Sequence, residues 1–264
     1  MTRILIAQPT TGTVLHGTVG YLMALGQALS GRGIGWEYRS LALSDIALSR
    51  NIFASAVLAE KSWSHLLFID SDMGFLPETV LGLLAFDQPV TAVACPKRYL
   101  GWQTLIEAAM AEGLRPEAAR LSPQALMDKL LEYNVDLTRF DAGAWQAERR
   151  GAFLKVPAVG TGIMLIRRDV LVEMRDRGVA VARPGQGELP LLEGGKPYWD
   201  FFSPQATPDG SLMESEDITF SHRWVEGCGG EIWVDIEARI MHFGMRGHSG
   251  RYAARAKDDF PESF

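Results

Sequence analysis

The chain has 264 residues, of which 47% are hydrophobic and 22% are charged, an ordinary composition for a globular protein. The formal net charge is −6 and no basic stripe occurs, which argues against a nucleic-acid partner. No run of about 18 or more apolar residues is present, so we expect no membrane span. The two cysteines, Cys95 and Cys228, form no CxxC pair. Their number and spacing argue against a disulfide framework or a structural zinc site, and favour a reducing cytoplasm.

Apolar runs alternate with helical patterns through the first 96 residues. The runs predict strands over 3–9, 34–41, 65–69 and 89–95. The patterns between them predict helices over 17–30, 44–61 and 77–86, with start signals at Ser44, Asp45 and Pro77. Strands that alternate with helices indicate an α/β fold with a mostly parallel, Rossmann-like central sheet flanked by helices.

The pattern changes after Cys95. Residues 97–150 are rich in charge and helix formers and predict a helical insertion. Strand character returns at 152–171, followed by a Gly/Pro-rich loop at 181–197, a short strand at 198–202, a helix over 215–230 and one or two strands within 231–244. The polar tail shows no clear structure. We expect a single domain over 1–264, with a nucleotide-binding half (1–96), the insertion (97–150), an acceptor half (151–245) and a tail or lid (246–264).

The segment HLLFIDSDMGF, residues 65–75, ends a buried strand with two acids. Asp70 and Asp72 point to the same side, because side chains alternate along a strand. Ligands of open parallel sheets bind beyond the carboxyl ends of the strands, and paired carboxylates suit a hard divalent cation. A polar turn or a helix cap explains an isolated Asp-x-Asp equally well.

The longer segment FIDSDMGFLPETVLGLL resembles the DxD region of nucleotide-sugar glycosyltransferases of the GT-A fold, of the family 2 type. The resemblance extends over residues 3–96 and 152–244, and leaves out 97–150 and the tail. It implies a GT-A fold, with a divalent cation (Mn²⁺ or Mg²⁺) held by Asp70, Asp72 and His242. The alternative for His242, at the end of an apolar strand, is a structural histidine in the core.

The same resemblance implies which residues bind the donor. Arg50 lies on the helix before the DxD strand, where similar enzymes place a basic residue close to the nucleotide. Gly160 and Gly162, in VPAVGTGIML, would pass beneath the donor sugar, since a ligand can approach a backbone without side chains. A solvated arginine and a tight bend are the plainer explanations. The remaining candidate donor-binding residues lie at the ends of the first and third strands: Gln8, Pro9 and Ser71.

The acids of MESEDITFSHRW open a predicted helix, where acids also offset the helix dipole. The resemblance implies that one of them takes the proton from an acceptor hydroxyl. We assign Asp217 as the base, with Glu216 as its alternate or as a ligand of an acceptor hydroxyl. Three tail residues, Arg246, His248 and Arg251, would form a lid over the diphosphate, unless the tail is disordered.

Together these features predict a metal-dependent glycosyltransferase. It would move a sugar from a nucleotide-diphosphate donor, by default a UDP-sugar, to a hydroxyl of an unknown glycan, lipid or protein acceptor, with inversion favoured over retention. A non-catalytic nucleotide-sugar-binding module would need the DxD but not Asp217. A nucleotidyltransferase would need a basic loop after the first strand, and residues 8–17 contain no Lys or Arg.

A haloacid-dehalogenase-like phosphatase is a further alternative, because that fold also ends an apolar strand in Asp-x-Asp. The motif normally opens the fold, whereas two β–α units precede it here, and Gly74 stands where Thr or Val is usual. The lysine and acids that this fold needs have a counterpart only in residues 257–259, which follow a polar stretch.

Overall fold

The structure is a computed structural model. It describes residues 1–98, 124, 128–129, 131–136, 148–185, 189–192, 196–207, 209–244 and 248–259.

An eight-stranded sheet forms the centre of the molecule, with strands in the order β2–β1–β3–β10–β5–β15–β8–β7. Strands β10 and β8 run opposite to the other six. The predicted α/β class with a mostly parallel central sheet is therefore confirmed, and it is consistent with the GT-A arrangement. The strands of this sheet are β1 (Arg3–Thr10), β2 (Gly35–Ala42), β3 (His65–Ile69), β5 (Val90–Val93), β7 (Arg149–Arg150), β8 (Phe153–Val156), β10 (Ile163–Arg167) and β15 (Ile232–Asp235).

Shorter ladders lie around the central sheet. One has three strands in the order β17–β16–β4, and the others are the pairs β6–β9, β11–β12 and β13–β14. Their bounds are β4 (Met73–Gly74), β6 (Val135–Asp136), β9 (Ala158–Val159), β11 (Val181–Arg183), β12 (Tyr198–Asp200), β13 (Gln205–Ala206), β14 (Met213–Glu214), β16 (Ile240–His242) and β17 (His248–Gly250).

Helices cover both faces of the central sheet. They are α1 (His16–Ser30), α2 (Ile46–Ala59), α3 (Pro77–Phe86), α4 (Arg168–Asp176), α5 (Glu216–Cys228) and α6 (Ala253–Asp259). Strand β1 shows how the layers form, since alternate residues enter two apolar clusters. Leu5 belongs to the cluster that contains Phe53 of α2, and Ile4 to the one that contains Leu25 of α1. Within the described residues, no helix is both long and apolar enough to cross a membrane.

Local signals set several helix boundaries. The carboxylate of Asp45 accepts a hydrogen bond from the Leu48 N–H at 2.9 Å and caps α2. Pro77 occupies the first residue of α3, where its missing N–H costs nothing. Gly229 ends α5 with φ +66°, a conformation that glycine adopts without strain. The predicted starts of α2 and α3, and the predicted end of α5 in glycines, are confirmed.

Helix α2 is buried around almost its whole circumference, and its polar side chains bind neighbouring backbone. The side-chain oxygen of Asn51 accepts hydrogen bonds from the N–H groups of Phe201 and Phe202 at 2.7 and 2.8 Å. The Ser55 hydroxyl accepts one from the Trp199 N–H at 2.7 Å. These bonds hold the segment around β12 against the helix, since a buried N–H group needs a partner.

The expectation of an unstructured tail is wrong. Strand β17 pairs with β16, and α6 packs on the central core through Ala253 and Ala256. The Tyr252 hydroxyl donates a hydrogen bond to Asp259 at 2.8 Å. The sequence pattern misses this segment because its buried apolar residues, Tyr252, Ala253 and Ala256, are few and mostly small.

Two further expectations need correction. The range 97–150 contains β6 and β7, although no strand was expected there, and most of the predicted helical insertion lies outside the described residues. The loop predicted at 181–197 begins with β11, which pairs with β12. Cys95 and Cys228 are both buried and unbridged.

Candidate functional site

The DxD turn lies against the end of β16. Asp72 is followed directly by β4, which pairs antiparallel with β16 so that Met73 lies opposite His242. The Phe243 N–H donates a hydrogen bond to the Asp72 carbonyl at 2.8 Å. Nε2 of His242 thereby lies 3.2 Å from Oδ2 of Asp72, although 170 positions separate the two residues. The structure therefore brings together these two predicted metal-site residues.

The surroundings of His242 determine which of its ring nitrogens carries a proton. Nδ1 lies 2.7 Å from the Pro96 carbonyl oxygen, which can only accept, so Nδ1 is the donor. In the neutral imidazole, Nε2 then points a lone pair at the Asp72 carboxylate. This backbone-oriented tautomer is the arrangement typical of metal-binding histidines.

A cavity of about 380 Å³ opens beside this pair, and we call it the DxD cavity. Arg98 lines it, with its Nη1 at 3.4 Å from Oδ2 of Asp72 and its side chain 58% exposed. Arg98 was not predicted, although its position shortly after β5 placed it at the same edge of the sheet. The described lining residues are Pro9, Thr10, Thr11, Thr13, Leu15, Leu43, Ile46, Asp70, Ser71, Asp72, Arg98 and His242.

Arg50 does not open into the DxD cavity. Its side chain is 2% exposed, with Nη2 at 2.9 Å from Oδ1 of Asp70 and Nη1 bonded to Oε1 of Glu216. The guanidinium thus joins the end of β3 to the start of α5. Direct contact between Arg50 and a nucleotide stays a prediction, as does metal binding by Asp70, whose carboxylate already has this partner.

Burial dominates the electrostatics of this cluster. It raises the pKa of Asp70, against the lowering effect of the Arg50 charge and with a further increase from Asp72. Burial likewise raises the pKa of Glu216, again opposed by Arg50 and reinforced by Asp217. For Arg50, burial alone would lower the pKa, but the surrounding carboxylates outweigh it and the pKa is raised. The arginine is therefore permanently charged and its partners are held partly by that charge.

The other predicted residues of the first strand and of the DxD turn lie around the DxD cavity in different roles. Gln8 is fully buried, accepts a hydrogen bond from the Tyr38 hydroxyl at 2.7 Å and donates to the Asp70 carbonyl at 3.5 Å. Pro9 and Ser71 line the cavity. Gln8 is therefore placed to support the DxD turn, and its contact with a nucleotide stays a prediction.

A second cavity, of about 530 Å³, shares no described lining residue with the DxD cavity, and we call it the Asp217 cavity. Asp217 and Gly160 line it, and a Cβ atom on Gly160 would lie 3.0 Å from Oδ2 of Asp217. Glu216 does not line it and turns towards Arg50 instead. Adjacent residues on α5 thus face different sides, because successive positions on a helix are about 100° apart.

Gly162 lies deeper than Gly160. A Cβ atom there would come within 3.0 Å of the Cys95 sulfur, and the Gly162 carbonyl accepts a hydrogen bond from the Asp70 N–H at 3.0 Å. Its missing side chain allows β10 to pack closely against Cys95. Passage beneath a donor sugar remains a prediction for both Gly160 and Gly162.

Asn134 was missed by sequence reasoning. Its side-chain oxygen accepts from the Cys95 N–H at 2.7 Å, and its amide donates to the Gly160 carbonyl at 3.0 Å. It therefore ties the end of β5 to the glycine turn that lines the Asp217 cavity. No signal in the sequence around Asn134 indicates this role, since it depends on two distant backbone segments.

Of the tail residues proposed as a lid, His248 lies opposite His242 in the ladder of β17 with β16. Arg251 pairs with Glu237 at 2.7 Å, while Arg246 lies outside the described residues, so the proposed lid stays a prediction. Asp259 lines the Asp217 cavity and bonds Arg255 at 3.0 Å. In the part of the chain that the structure describes, no group of three or more His, Cys, Asp or Glu residues could by itself hold a metal ion.

No protein-family model and no curated protein matches the chain. Among solved structures, it is similar to A197 from STIV, at 15% identity and a TM-score of 0.46, over 92% of this chain and 86% of that one. It is also similar to a glycosyltransferase involved in the glycosylation of the major capsid of PBCV-1, at 11% identity and a TM-score of 0.32, over 66% of this chain and 64% of that one. Both TM-scores lie below 0.5, so the residues of the site have to carry any functional conclusion.

Proposed function

We propose that the chain is a glycosyltransferase that uses a nucleotide-diphosphate sugar and a divalent cation. The supporting observation is the meeting of Asp72 and His242 at 3.2 Å, beside a cavity at the carboxyl edge of the parallel strands. Open α/β sheets bind nucleotides at this edge. The Asp217 cavity, whose lining residue Lys97 directly precedes Arg98 of the DxD cavity, would take the acceptor.

Asp72 and His242 are the residues that would hold the cation, and their chemistry fits. A carboxylate oxygen and an imidazole nitrogen are both ligands that Mn²⁺ accepts, and Mg²⁺ accepts the former. Two protein ligands leave coordination positions for the diphosphate oxygens. When bound, the cation would supply positive charge to the leaving nucleotide. The lone pair of Nε2 that faces Asp72 would then have a partner.

The other side chains would divide the remaining work. Arg98 would contribute a guanidinium to the diphosphate, because this group suits phosphate recognition. Asp217 would take the proton from the acceptor hydroxyl, which is a poor nucleophile while it keeps that proton. Attack from the Asp217 cavity on a sugar held from the DxD cavity would invert the anomeric carbon. UDP is the default nucleotide, and the acceptor would be a glycan, lipid or protein hydroxyl.

A thermal-unfolding screen of UDP-, GDP-, CMP- and dTDP-sugars, each with and without Mn²⁺, tests the proposal. A ligand at about 100 times its Kd stabilises by about 2.7 kcal/mol. For a domain of this size that raises the Tm by roughly 5–10 °C. We expect such a shift only when Mn²⁺ and one class of nucleotide are both present. Equal shifts without Mn²⁺ would contradict the metal clamp.

Variants then connect binding to the named residues. Asp72→Asn and His242→Gln should each weaken Mn²⁺-dependent donor binding by at least about tenfold in calorimetry. The matched control is Asp87→Asn, because Asp87 is exposed and lies at the far end of α3. Donor binding without transfer or hydrolysis over a panel of acceptors would indicate a binding module instead. Release of phosphate from p-nitrophenyl phosphate would favour the phosphatase.

A further inference from the structure

The buried guanidinium of Arg50 contacts an acid from each half of the candidate site. Asp70 belongs to the turn at the DxD cavity, and Glu216 is the direct neighbour of Asp217. Arg50 itself is 2% exposed and comes from the middle of α2, a helix fixed on nearly all sides. A cation at this position therefore sets the distance between two segments that are 146 residues apart in the chain.

We propose that Arg50 is a positioning residue that holds the Glu216 side chain out of the Asp217 cavity. Of the two neighbouring carboxylates, Asp217 is then the one that faces the acceptor. The proposal rests on the proposed function and assigns separate roles within its acidic pair. Asp217 would act on the acceptor, and Glu216 would anchor the first turn of α5 to α2.

The geometry carries this division of roles. Glu216 has a side chain that is 14% exposed and bonds Nη1 of Arg50. Asp217 lines its cavity, with its Oδ1 accepting hydrogen bonds from the Ser215 hydroxyl and the Ile218 N–H. Oδ2 lies close to Gly160, where a Cβ atom would come within 3.0 Å of it. A carboxylate that lines a cavity and is oriented by its neighbours through one oxygen is suited to accept a proton from a ligand in that cavity.

Stability is a weak reason for this arrangement. Nε of Arg50 is buried without a hydrogen-bond partner among the described residues. A buried ion pair with an unsatisfied donor gains little over apolar packing of the same volume, because desolvation offsets the attraction. Orientation is the property that an apolar replacement could not supply, since the planar guanidinium contacts two carboxylates in fixed directions.

The charges around Glu216 come from three elements. Arg50 and the cap Asp45 lie on α2, Asp70 follows β3, and Asp217 is on α5. Arg50 is the cation among them, so its removal should raise the pH at which Glu216 titrates. When a carboxylate loses an opposite charge at hydrogen-bond distance, its pKa rises by about one unit or more.

Five variants test the proposal: Arg50→Lys, Arg50→Met, Glu216→Gln, Asp217→Asn and the control Arg168→Met. Arg168 is a matched control because its guanidinium also binds α2, through the Val57 and Leu58 carbonyls at the far end of the helix. Donor turnover at saturating Mn²⁺ gives kcat and KM. Carbon-13 NMR of the labelled side-chain carboxyl group follows the titration of Glu216.

Glu216→Gln keeps an oxygen for Arg50, so we expect kcat to fall less than tenfold. The kcat of Asp217→Asn should fall about a hundredfold or more, which is the usual contribution of a general base. Arg50→Met should lower kcat at least tenfold with donor KM within threefold, and raise the titration midpoint of Glu216. Arg50→Lys should recover part of kcat, and Arg168→Met should change neither kcat nor that midpoint.

Two results would overturn the proposal. One is a loss in Glu216→Gln as large as in Asp217→Asn, which would make Glu216 a direct participant. The other is an unchanged kcat and titration midpoint in Arg50→Met. If no nucleotide sugar is turned over, the proposed function fails while the NMR titration still decides whether Arg50 holds Glu216. If Arg50→Met does not fold, Arg50→Lys and Glu216→Gln decide the matter.

Discussion

Replacement of Gly160 by alanine tests the close contact of Gly160 with Asn134 and Asp217 at the Asp217 cavity. The backbone of Gly160 does not lie in the left-handed region, so alanine can adopt it without strain. The added Cβ atom would lie 2.8 Å from Nδ2 of Asn134 and 3.0 Å from Oδ2 of Asp217. Asn134 cannot retreat freely, because its amide group bonds the backbone of Cys95 and of Gly160.

The expected cost follows from these contacts. Extra atoms in a filled interior cost about 1–3 kcal/mol when neighbours must shift. At roughly 2–4 °C per kcal/mol for a domain of this size, the Tm should fall by roughly 2–12 °C. The control is Gly20→Ala on the exposed face of α1, where a Cβ atom would meet nothing within 4 Å. That change should stabilise by about 1 kcal/mol through helix propensity.

Urea unfolding of both variants measures the two free-energy changes, and donor assays follow the site. Weaker Mn²⁺-dependent donor binding in Gly160→Ala would support the prediction that Gly160 passes beneath the donor sugar, and unchanged binding would contradict it, since Gly160 does not line the DxD cavity. The kcat of Gly160→Ala should fall at least about tenfold, because Asp217 is displaced from the acceptor. A Gly160→Ala variant as stable as the wild type, or one with full turnover, would refute the close contact with Asp217.

Two further predictions concern stability. Asn51→Ala should destabilise by about 2–4 kcal/mol in urea unfolding, because two buried N–H groups lose their acceptor, and Asn51→Asp, which keeps an acceptor oxygen, should cost less. The second concerns Asp235, whose pKa is raised by burial, so the native state holds its proton more tightly than the unfolded state. The free energy of unfolding should therefore fall as the pH rises from the ordinary carboxyl pKa through the native pKa of Asp235. Asp235→Asn lacks this loss, so its free energy of unfolding relative to the wild type should be higher at pH 7 than at pH 4. An equal difference at the two pH values would contradict this assignment.

The sequence alone determined the elements whose signals are local. The strand before Asp70 is a short apolar run, α2 begins directly after its capping residue Asp45, and α3 begins at Pro77. These boundaries follow from hydrophobic periodicity and from end groups that need partners, both of which act within a few residues. The position of Asp72 at a sheet edge and the approach of His242 could also be predicted, from strand order and the stated resemblance.

Only the tertiary structure decided how the site divides its acids. The sequence shows Glu216 and Asp217 as equal neighbours, whereas in the fold Glu216 pairs with Arg50 of α2 and Asp217 lines the cavity. Asn134 takes its role from two backbone segments that meet only after the chain folds, and Arg98 likewise meets its partner Asp72 only then. The physical reason is common to all of them. The role of a side chain depends on charges and backbone groups from residues that are distant in sequence. A local sequence pattern does not identify those partners.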